Sequence, residues 1–174
     1  MPGLEMSQTA PGYAAFVVPA EGYDRLVGRY LPTLAPEFAN AAGVGEGMRV
    51  LDVGCGPGGL TRELVARVGA DAVAAIDPSP PFVEACRVRL PGVDVQVGVA
   101  EQLPYPHAAF DATLACLVVG FMDDAATGVR DMARVTHRRC VLLGSREHAS
   151  DPGVLVRSRD GRSVALRRSD QAGQ

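Results

Sequence analysis

The sequence predicts an α/β fold in which helices cover both faces of a doubly wound parallel sheet. Short apolar runs alternate with helix-type patterns from about residue 48 to residue 143. The run at 112–119 is almost continuously apolar, as is typical of a central strand covered on both faces. A cluster of glycines directly follows the first apolar run. Because strand–helix–strand units cross over in one hand, this alternation places the strands parallel to one another.

Five strands are predicted from this pattern. They lie at residues 48–53, 72–76, 93–97, 112–119 and 140–143. In the third of them valines alternate with polar residues, which indicates an edge strand exposed on one face.

The helices predicted between these strands have clear starting signals. The first, at 59–68, begins in the glycine cluster. The second starts at Ser79, where two prolines suit the first turn of a helix. The third runs from about 123 to 135, and Asp123 and Asp124 are interpreted as its capping groups.

The chain ahead of the first strand divides into two segments. Residues 1–20 are rich in glycine, proline and alanine without a clear period, which predicts a flexible tail. Residues 21–42 are predicted to be helical in two pieces, broken at Pro32, and this apolar-faced segment could fold over a ligand as a cap. The predicted domain therefore spans residues 21–144.

Composition bounds the partners that the chain could have. Its 174 residues suit one domain, and 47% hydrophobic with 21% charged residues is ordinary for a globular protein. A net charge of −3 and a pI near 5.6 argue against nucleic acid as a partner. The first 20 residues hold no basic residue and no apolar run is long enough for a bilayer, so we expect a cytoplasmic protein without membrane insertion.

The cysteines and histidines give no metal-binding pattern. The four cysteines form no CxxC pair, and the three histidines form no HxH or HExxH pattern. No metal site is therefore predicted, and the cysteines are interpreted as buried free thiols.

The glycine cluster at residues 54–59 is the most informative stretch. It follows the carboxyl end of the first predicted strand, which is where open α/β sheets bind their ligands. Glycine there lets the backbone turn sharply and come close to a ligand without a Cβ in the way.

Two ligand classes fit such a loop. Gly54, Gly56 and Gly59 match the GxGxxG pattern of dinucleotide-binding proteins, and Asp77 ends the second strand at a suitable distance for a ribose. Three features oppose this interpretation. Asp52 stands where a dinucleotide strand is normally apolar, and about fifty residues precede the loop. In addition, Pro57 stiffens the centre of the loop, where a GxGxG pattern ending at Gly58 fits at least as well.

Three segments together resemble the motifs of class I S-adenosylmethionine-dependent methyltransferases. They read VLDVGCGPGGLTREL from residue 50, AAIDPS from residue 74 and GVAEQLPYPHAAFDATLACLVV from residue 98. The branch with the greatest similarity acts on small molecules and is typified by quinone-biosynthesis methyltransferases. The resemblance covers about residues 21–136. It implies a Rossmann-like fold, S-adenosylmethionine as cofactor and a small-molecule methyl acceptor.

The resemblance also implies a set of cofactor-binding residues. These are Asp52, Gly54, Cys55, Gly56, Gly58, Asp77, Pro78, Ala100, Glu101 and Leu117. According to this resemblance, Asp52 anchors the amino group of the methionine portion, and Asp77 accepts hydrogen bonds from both hydroxyls of the ribose. Ala100 and Glu101 line the adenine pocket, and Leu117 with the preceding Cys116 flanks the methionine and the transferred methyl group.

Two residues of the helical cap, Tyr23 and Arg29, fall where such a cap covers the cofactor; a position on the surface remains the alternative for both. No catalytic residue is assigned. The methyl donor carries its own activation, so alignment and desolvation matter more than acid–base chemistry.

The sequence departs from the family after about residue 136. A turn expected before the fifth strand is replaced by His137, Arg138 and Arg139. The candidates for strands six and seven, at 154–156 and 164–166, are very short, so these strands are expected to be missing or degenerate. Residues 145–174 are then expected to be poorly ordered, and the fifth strand to be an exposed edge through which the chain could self-associate.

Three functions remain open at this point. The first is a methyltransferase acting on a small molecule, and the second is a cofactor-binding fragment without turnover. The third is an oxidoreductase domain that binds NAD.

Overall fold

The computed structural model describes residues 22–23, 25 and 27–143, together with the backbone of residues 154–158 and 163–166. Its strands form one sheet in the order β3-β2-β1-β4-β5-β6-β7. The strands are β1 (Val50–Val53), β2 (Val73–Asp77), β3 (Asp94–Val97), β4 (Phe110–Cys116), β5 (Thr136–Leu143), β6 (Val154–Ser158) and β7 (Ser163–Leu166). The tail predicted at 1–20, and all of 145–174 apart from β6 and β7, lie outside the described residues.

The first five strands are parallel and confirm the predicted doubly wound sheet. All four residues of β1 are buried, and β1 lies between β2 and β4. The strand order reverses between β1 and β4, so the loops that follow these two strands lead to opposite faces and leave a crevice between them.

Among the described residues, four α-helices of ten or eleven residues flank the parallel strands. They are α1 (Leu31–Ala41), α2 (Gly59–Val68), α3 (Pro80–Arg89) and α4 (Ala125–Val135). The apolar side chains of α1 and α2, among them Phe38 and Leu64, pack with Val50 of β1 on one face of the sheet. Met132 of α4 packs with Leu51 on the other face. Because the side chains of a strand alternate between faces, β1 contributes to both cores.

Helix α1 corrects the predicted break at Pro32. The helix begins at Leu31, and Pro32 lies in its first turn. A backbone N–H has no intrahelical partner at this position, so proline costs nothing there and its fixed φ suits the helix. At the start of α4 the capping interpretation is confirmed for Asp124, because the Thr127 N–H donates to Asp124 Oδ1 over 3.0 Å. For Asp123 it stays a prediction.

Strand β5 starts four residues earlier than predicted. His137, Arg138 and Arg139 lie within it as exposed residues, and Arg139 pairs with Ala112 of β4. The Thr136 hydroxyl lies 2.7 Å from the Thr113 hydroxyl and fixes the start of the strand. A run of polar side chains is compatible with a strand when those side chains face solvent.

Of the expectation that strands six and seven are missing or degenerate, the first alternative is wrong, because both strands are present. Both are short, but β6 pairs antiparallel with β5 along 139–143 and β7 pairs antiparallel with β6. A short strand is weak alone, but it gains a complete row of hydrogen bonds when a long strand is already in place. The β5 edge is therefore covered, which removes the basis for predicted self-association through it.

Among the described residues, no helix combines the length and the apolar character that crossing a bilayer requires.

Truncation after Gly144 should uncover the edge of β5, where Cys140, Val141 and Leu142 are buried. We expect this shortened chain to self-associate and to unfold at a lower temperature than the full chain, because an apolar unpaired edge recruits other strands. Truncation after Leu166 keeps β6 and β7 and is the matched control. Light scattering after size-exclusion chromatography, with thermal unfolding, measures both effects. An unchanged mass and an unchanged unfolding midpoint in the shorter chain would contradict the expectation.

Candidate functional site

The loops that follow β1, β2 and β4 border an open cleft at the carboxyl edge of the sheet. The cleft is lined by Tyr23, Gly54, Gly56, Asp77, Pro78, Ser79, Phe82, Leu117, Val118 and Phe121. This is the crevice created where the strand order reverses, as expected for ligand sites in open α/β sheets.

Three glycines of the loop after β1 adopt left-handed backbone conformations. Their φ angles are +72° at Gly54, +54° at Gly56 and +97° at Gly58. A Cβ at Gly54 would overlap the Val118 side chain, and one at Gly58 would lie 2.9 Å from Cys86 Sγ. Packing within the protein therefore requires glycine at these two positions, independently of any ligand.

The backbone N–H groups of this loop are already used within the chain. Those of Gly54 and Cys55 both donate to the Ile76 carbonyl, at 2.8 and 3.1 Å, and that of Gly58 donates to the Cys55 carbonyl at 3.1 Å. The Gly56 N–H donates to a carboxylate at 2.8 Å, and Pro57 has no N–H. The segment 54–58 thus presents no unused donor to a ligand.

Asp77 joins the glycine loop to the end of β2. Its Oδ2 accepts the Gly56 N–H at 2.8 Å, and its Oδ1 accepts the Ser79 N–H at 2.9 Å. Burial raises the pKa of Asp77, and the two backbone hydrogen bonds oppose that rise. A carboxylate has about four lone-pair sites, so Asp77 keeps acceptor capacity toward the cleft that it lines.

Asp52 lies behind the glycine loop and does not line the cleft. It is 1% exposed, and its Oδ2 accepts a 2.7 Å hydrogen bond from the hydroxyl of Thr61 on α2. Burial raises the pKa of Asp52 to about 7, and the nearby Asp77 adds to the rise while the Thr61 hydrogen bond opposes it. Asp52 is thus a buried acid that changes its charge near neutral pH.

The loop after β4 holds Leu117 in an unusual conformation. Its φ is +61°, and its N–H donates to the Leu143 carbonyl at the end of β5 over 2.7 Å. A left-handed conformation is costly for leucine, and such strain persists where the surrounding structure imposes it. The strained residue and the adjacent Val118 both line the cleft.

Aromatic rings form the remaining wall. Tyr23 and Phe82 contact one another with ring centroids 5.2 Å apart and planes tilted by 58°. Phe121 follows β4 and is 36% exposed at the cleft. Burial is the main cause that raises the pKa of Tyr23, so its phenol is neutral at physiological pH. None of the described residues that line the cleft is basic.

Five residues of the predicted cofactor set line the cleft: Gly54, Gly56, Asp77, Pro78 and Leu117. The loop residues Cys55 and Gly58 do not, and the Cys55 side chain is buried with Cys86 of α3 and Val83. Of the two cap residues, Tyr23 lines the cleft, whereas exposed Arg29 stacks on Tyr30 with its Cζ 4.7 Å from the ring centroid.

Ala100 and Glu101 lie apart from the residues lining the cleft, in a short 3-10 helix, Ala100–Gln102, beside α4. Ala100 is buried in the core that includes Met132. Glu101 Oε1 accepts the Asp124 N–H at 3.2 Å, next to the start of α4. Their predicted contact with adenine stays a prediction.

Besides the cap residue Tyr23, four residues that line the cleft are absent from the predicted cofactor set: Ser79, Phe82, Val118 and Phe121. Phe82 fits the apolar face of α3, so the helical pattern alone assigns it to the core. Its position three residues after Ser79, where the chain leaves the carboxyl end of β2, is the signal that could have indicated a ligand wall.

Comparison with known proteins agrees with this geometry. Residues 50–139, just over half of the chain, match the family model described as a methyltransferase domain. A 2-methyl-6-phytyl-1,4-hydroquinone methyltransferase of rice, Oryza sativa subsp. japonica, is 37% identical over 91 residues, which cover 51% of this chain and 28% of that protein. The ubiquinone biosynthesis O-methyltransferase of Methylocella silvestris is 42% identical over 89 residues, which cover 49% and 34%. The matched region spans about a third of the length of these two relatives.

The structural comparison agrees with the match to the family model. The YcgJ protein of Bacillus subtilis superimposes with a TM-score of 0.57 at 25% identity, over 67% of this chain and 50% of that one. The matched sequence region contains β1 to β4, the loops after β1, β2 and β4, and α2 to α4. The chain therefore belongs to the methyltransferase domain family and has its class I, Rossmann-like fold.

Proposed function

We propose that this chain binds S-adenosylmethionine in the cleft and transfers its methyl group to a small-molecule acceptor. The observation that carries the proposal is Asp77, which ends β2, fixes the glycine loop through the Gly56 N–H and lines the cleft with spare acceptor capacity. A ribose presents two neighbouring hydroxyl donors, and a carboxylate at this position suits both of them.

The charges around the cleft support a cofactor that is cationic and lacks phosphate. A phosphate needs basic side chains or unused backbone N–H groups. The backbone N–H groups of residues 54–58 already form hydrogen bonds within the chain, and none of the described residues that line the cleft is basic. These features oppose the NAD alternative and favour a ligand that carries positive charge near Asp77 and Asp52.

Asp52 has a proposed role that follows from its burial. It lies behind the loop, and one of its oxygens accepts a hydrogen bond from Thr61. Because burial disfavours its ionised form, a positive charge nearby would stabilise that form. The ammonium of the methionine portion is such a charge, so we propose that Asp52 holds that group directly or through water.

When bound, S-adenosylmethionine supplies an electrophilic methyl group on a positively charged sulfur. The residues of this chain then have to orient the ligand and exclude water from it. Leu117, Val118 and Phe82 give the cleft apolar walls, and Asp77 fixes the ribose end. Neutral Tyr23 and hydrogen-bonded Asp77 are the titratable side chains among the lining residues, and neither is an evident base for an acceptor.

The names of the relatives support a small organic acceptor for this chain. They are a hydroquinone methyltransferase and an O-methyltransferase of ubiquinone biosynthesis. The acidic charge balance supports an acceptor other than nucleic acid. A cytoplasmic location remains a proposal from the sequence.

Calorimetric titration with S-adenosylmethionine, S-adenosylhomocysteine and NAD⁺ tests the proposal without knowledge of the acceptor. We expect the first two ligands to bind and NAD⁺ not to bind. Binding of NAD⁺ alone would replace the proposal with the oxidoreductase alternative. Turnover with a hydroquinone or a phenol as trial acceptor then separates an active enzyme from a cofactor-binding fragment.

Replacement of Asp77 by asparagine should weaken S-adenosylmethionine binding by about 1.5–3 kcal/mol, the usual contribution of hydrogen bonds to a charged group. The matched control is Asp71→Asn, which changes an exposed carboxylate just before the start of β2. This variant should bind like the parent. Calorimetry gives both affinities. Equal affinity in Asp77→Asn and the parent would show that Asp77 does not hold the ribose.

Asp52→Asn should change how stability depends on pH. The pKa of Asp52 is raised from 3.8 to about 7 in the folded protein. Between these values the folded chain keeps a proton that the unfolded chain has lost, so the parent loses stability as the pH rises. Asparagine has no such proton. The stability of the variant relative to the parent should therefore rise by up to roughly 4 kcal/mol between pH 4 and pH 7 and then level off.

Urea unfolding of both proteins from pH 4 to pH 8 measures this difference. Changes in other groups largely cancel because both proteins contain them. A difference that stays constant over the whole range would mean that Asp52 has an ordinary pKa.

A further inference from the structure

Tyr23 lies directly against the glycine loop. A Cβ built on Gly56 would be 3.4 Å from Tyr23 Cζ and 3.5 Å from its hydroxyl oxygen. The ring also packs on Phe82 at the start of α3. Tyr23 thus connects the loop after β1 with the start of α3 and places its ring at the wall of the cleft.

The surroundings of this ring are acidic. After burial and the Cys116 thiol, the charges of Asp52 and Asp77 also raise the pKa of Tyr23, so the ring lies within the field of two carboxyl groups. No basic side chain lines the described part of the cleft to balance them. An aromatic ring beside the lining carboxylate Asp77, with the carboxyl of Asp52 behind the loop, favours a cation in the cleft, because the ring face carries negative electrostatic potential.

We propose that Tyr23 is a specificity-determining residue whose ring distinguishes the methyl-donor sulfonium cation from the neutral thioether that remains after transfer. The inference rests on the proposed function and deepens it. Methyl transfer removes the positive charge from the sulfur, so a ring that attracts the cation loses that attraction in the product complex. Tyr23 therefore raises the affinity for donor relative to product and limits inhibition by the product.

The test compares the dissociation constants of S-adenosylhomocysteine and S-adenosylmethionine, measured by calorimetry, in four proteins. Besides the parent these are Tyr23→Phe, Tyr23→Leu and Tyr30→Leu. Phenylalanine keeps the ring without the hydroxyl, leucine removes the ring, and exposed Tyr30 is the matched control outside the cleft. Thermal unfolding checks that each variant is folded.

We expect the ratio of the product constant to the donor constant to fall by about three- to thirty-fold in Tyr23→Leu, which is the range of a cation–π contact. It should be nearly unchanged in Tyr23→Phe and Tyr30→Leu. Tyr23→Met, which fills similar space without a ring, replaces the leucine variant if that one does not fold.

Two results would overturn the inference while leaving the proposed function standing. One is an unchanged ratio in Tyr23→Leu, and the other is an equal fall in Tyr23→Phe, which would assign discrimination to the hydroxyl. If the parent binds neither ligand, the proposed function fails, and this inference fails with it.

Discussion

The hydrogen bond from the Gly56 N–H to Asp77 Oδ2 is the contact on which the site depends. It joins the loop after β1 to the end of β2, and the Ser79 N–H ties the same carboxylate to the start of α3. Two strands, one loop and one helix are thereby fixed around a single buried side chain. Its burial opposes ionisation, while the two backbone donors favour it. The carboxylate is thus both a structural clamp and the polar centre of the cleft.

In addition to the Asp77 hydrogen bonds, side-chain packing sets the shape of the glycine loop after β1. Val118 occupies the space that a Cβ at Gly54 would need, and Cys86 does the same at Gly58. The loop after β4 is in turn held by the bond from the Leu117 N–H to β5. The strain at Leu117 is therefore maintained by a sheet that continues beyond the cleft into β6 and β7. In this way the far side of the sheet helps to define a ligand wall.

The sequence predicts the strand–helix alternation and the glycine loop because each depends on local pattern and chain order. It also predicts that Asp77 ends the second strand, because the end of a strand follows from the apolar pattern along the chain. It undervalues β6 and β7, whose candidate segments look too short alone, because β6 is stabilised by pairing with β5 and β7 by pairing with β6. It misses Phe82 and Phe121 as cleft residues, because an apolar residue gives the same signal in a core and in a ligand wall. The hydrogen bond from Thr61 to Asp52 could not be predicted, because it depends on how α2 packs against β1 and not on a local sequence pattern.

The internal use of the loop N–H groups has a consequence for selection among nucleosides. A loop whose donors at Gly54, Cys55, Gly56 and Gly58 bond within the chain offers oxygen acceptors to its ligand and few hydrogen-bond donors. ATP and NAD contain an adenosine that could enter such a site, but their phosphate oxygens would lose water without gaining a backbone partner from this loop. Under the proposed function, this desolvation penalty would disfavour nucleotides that carry phosphate, without the need for a clashing side chain.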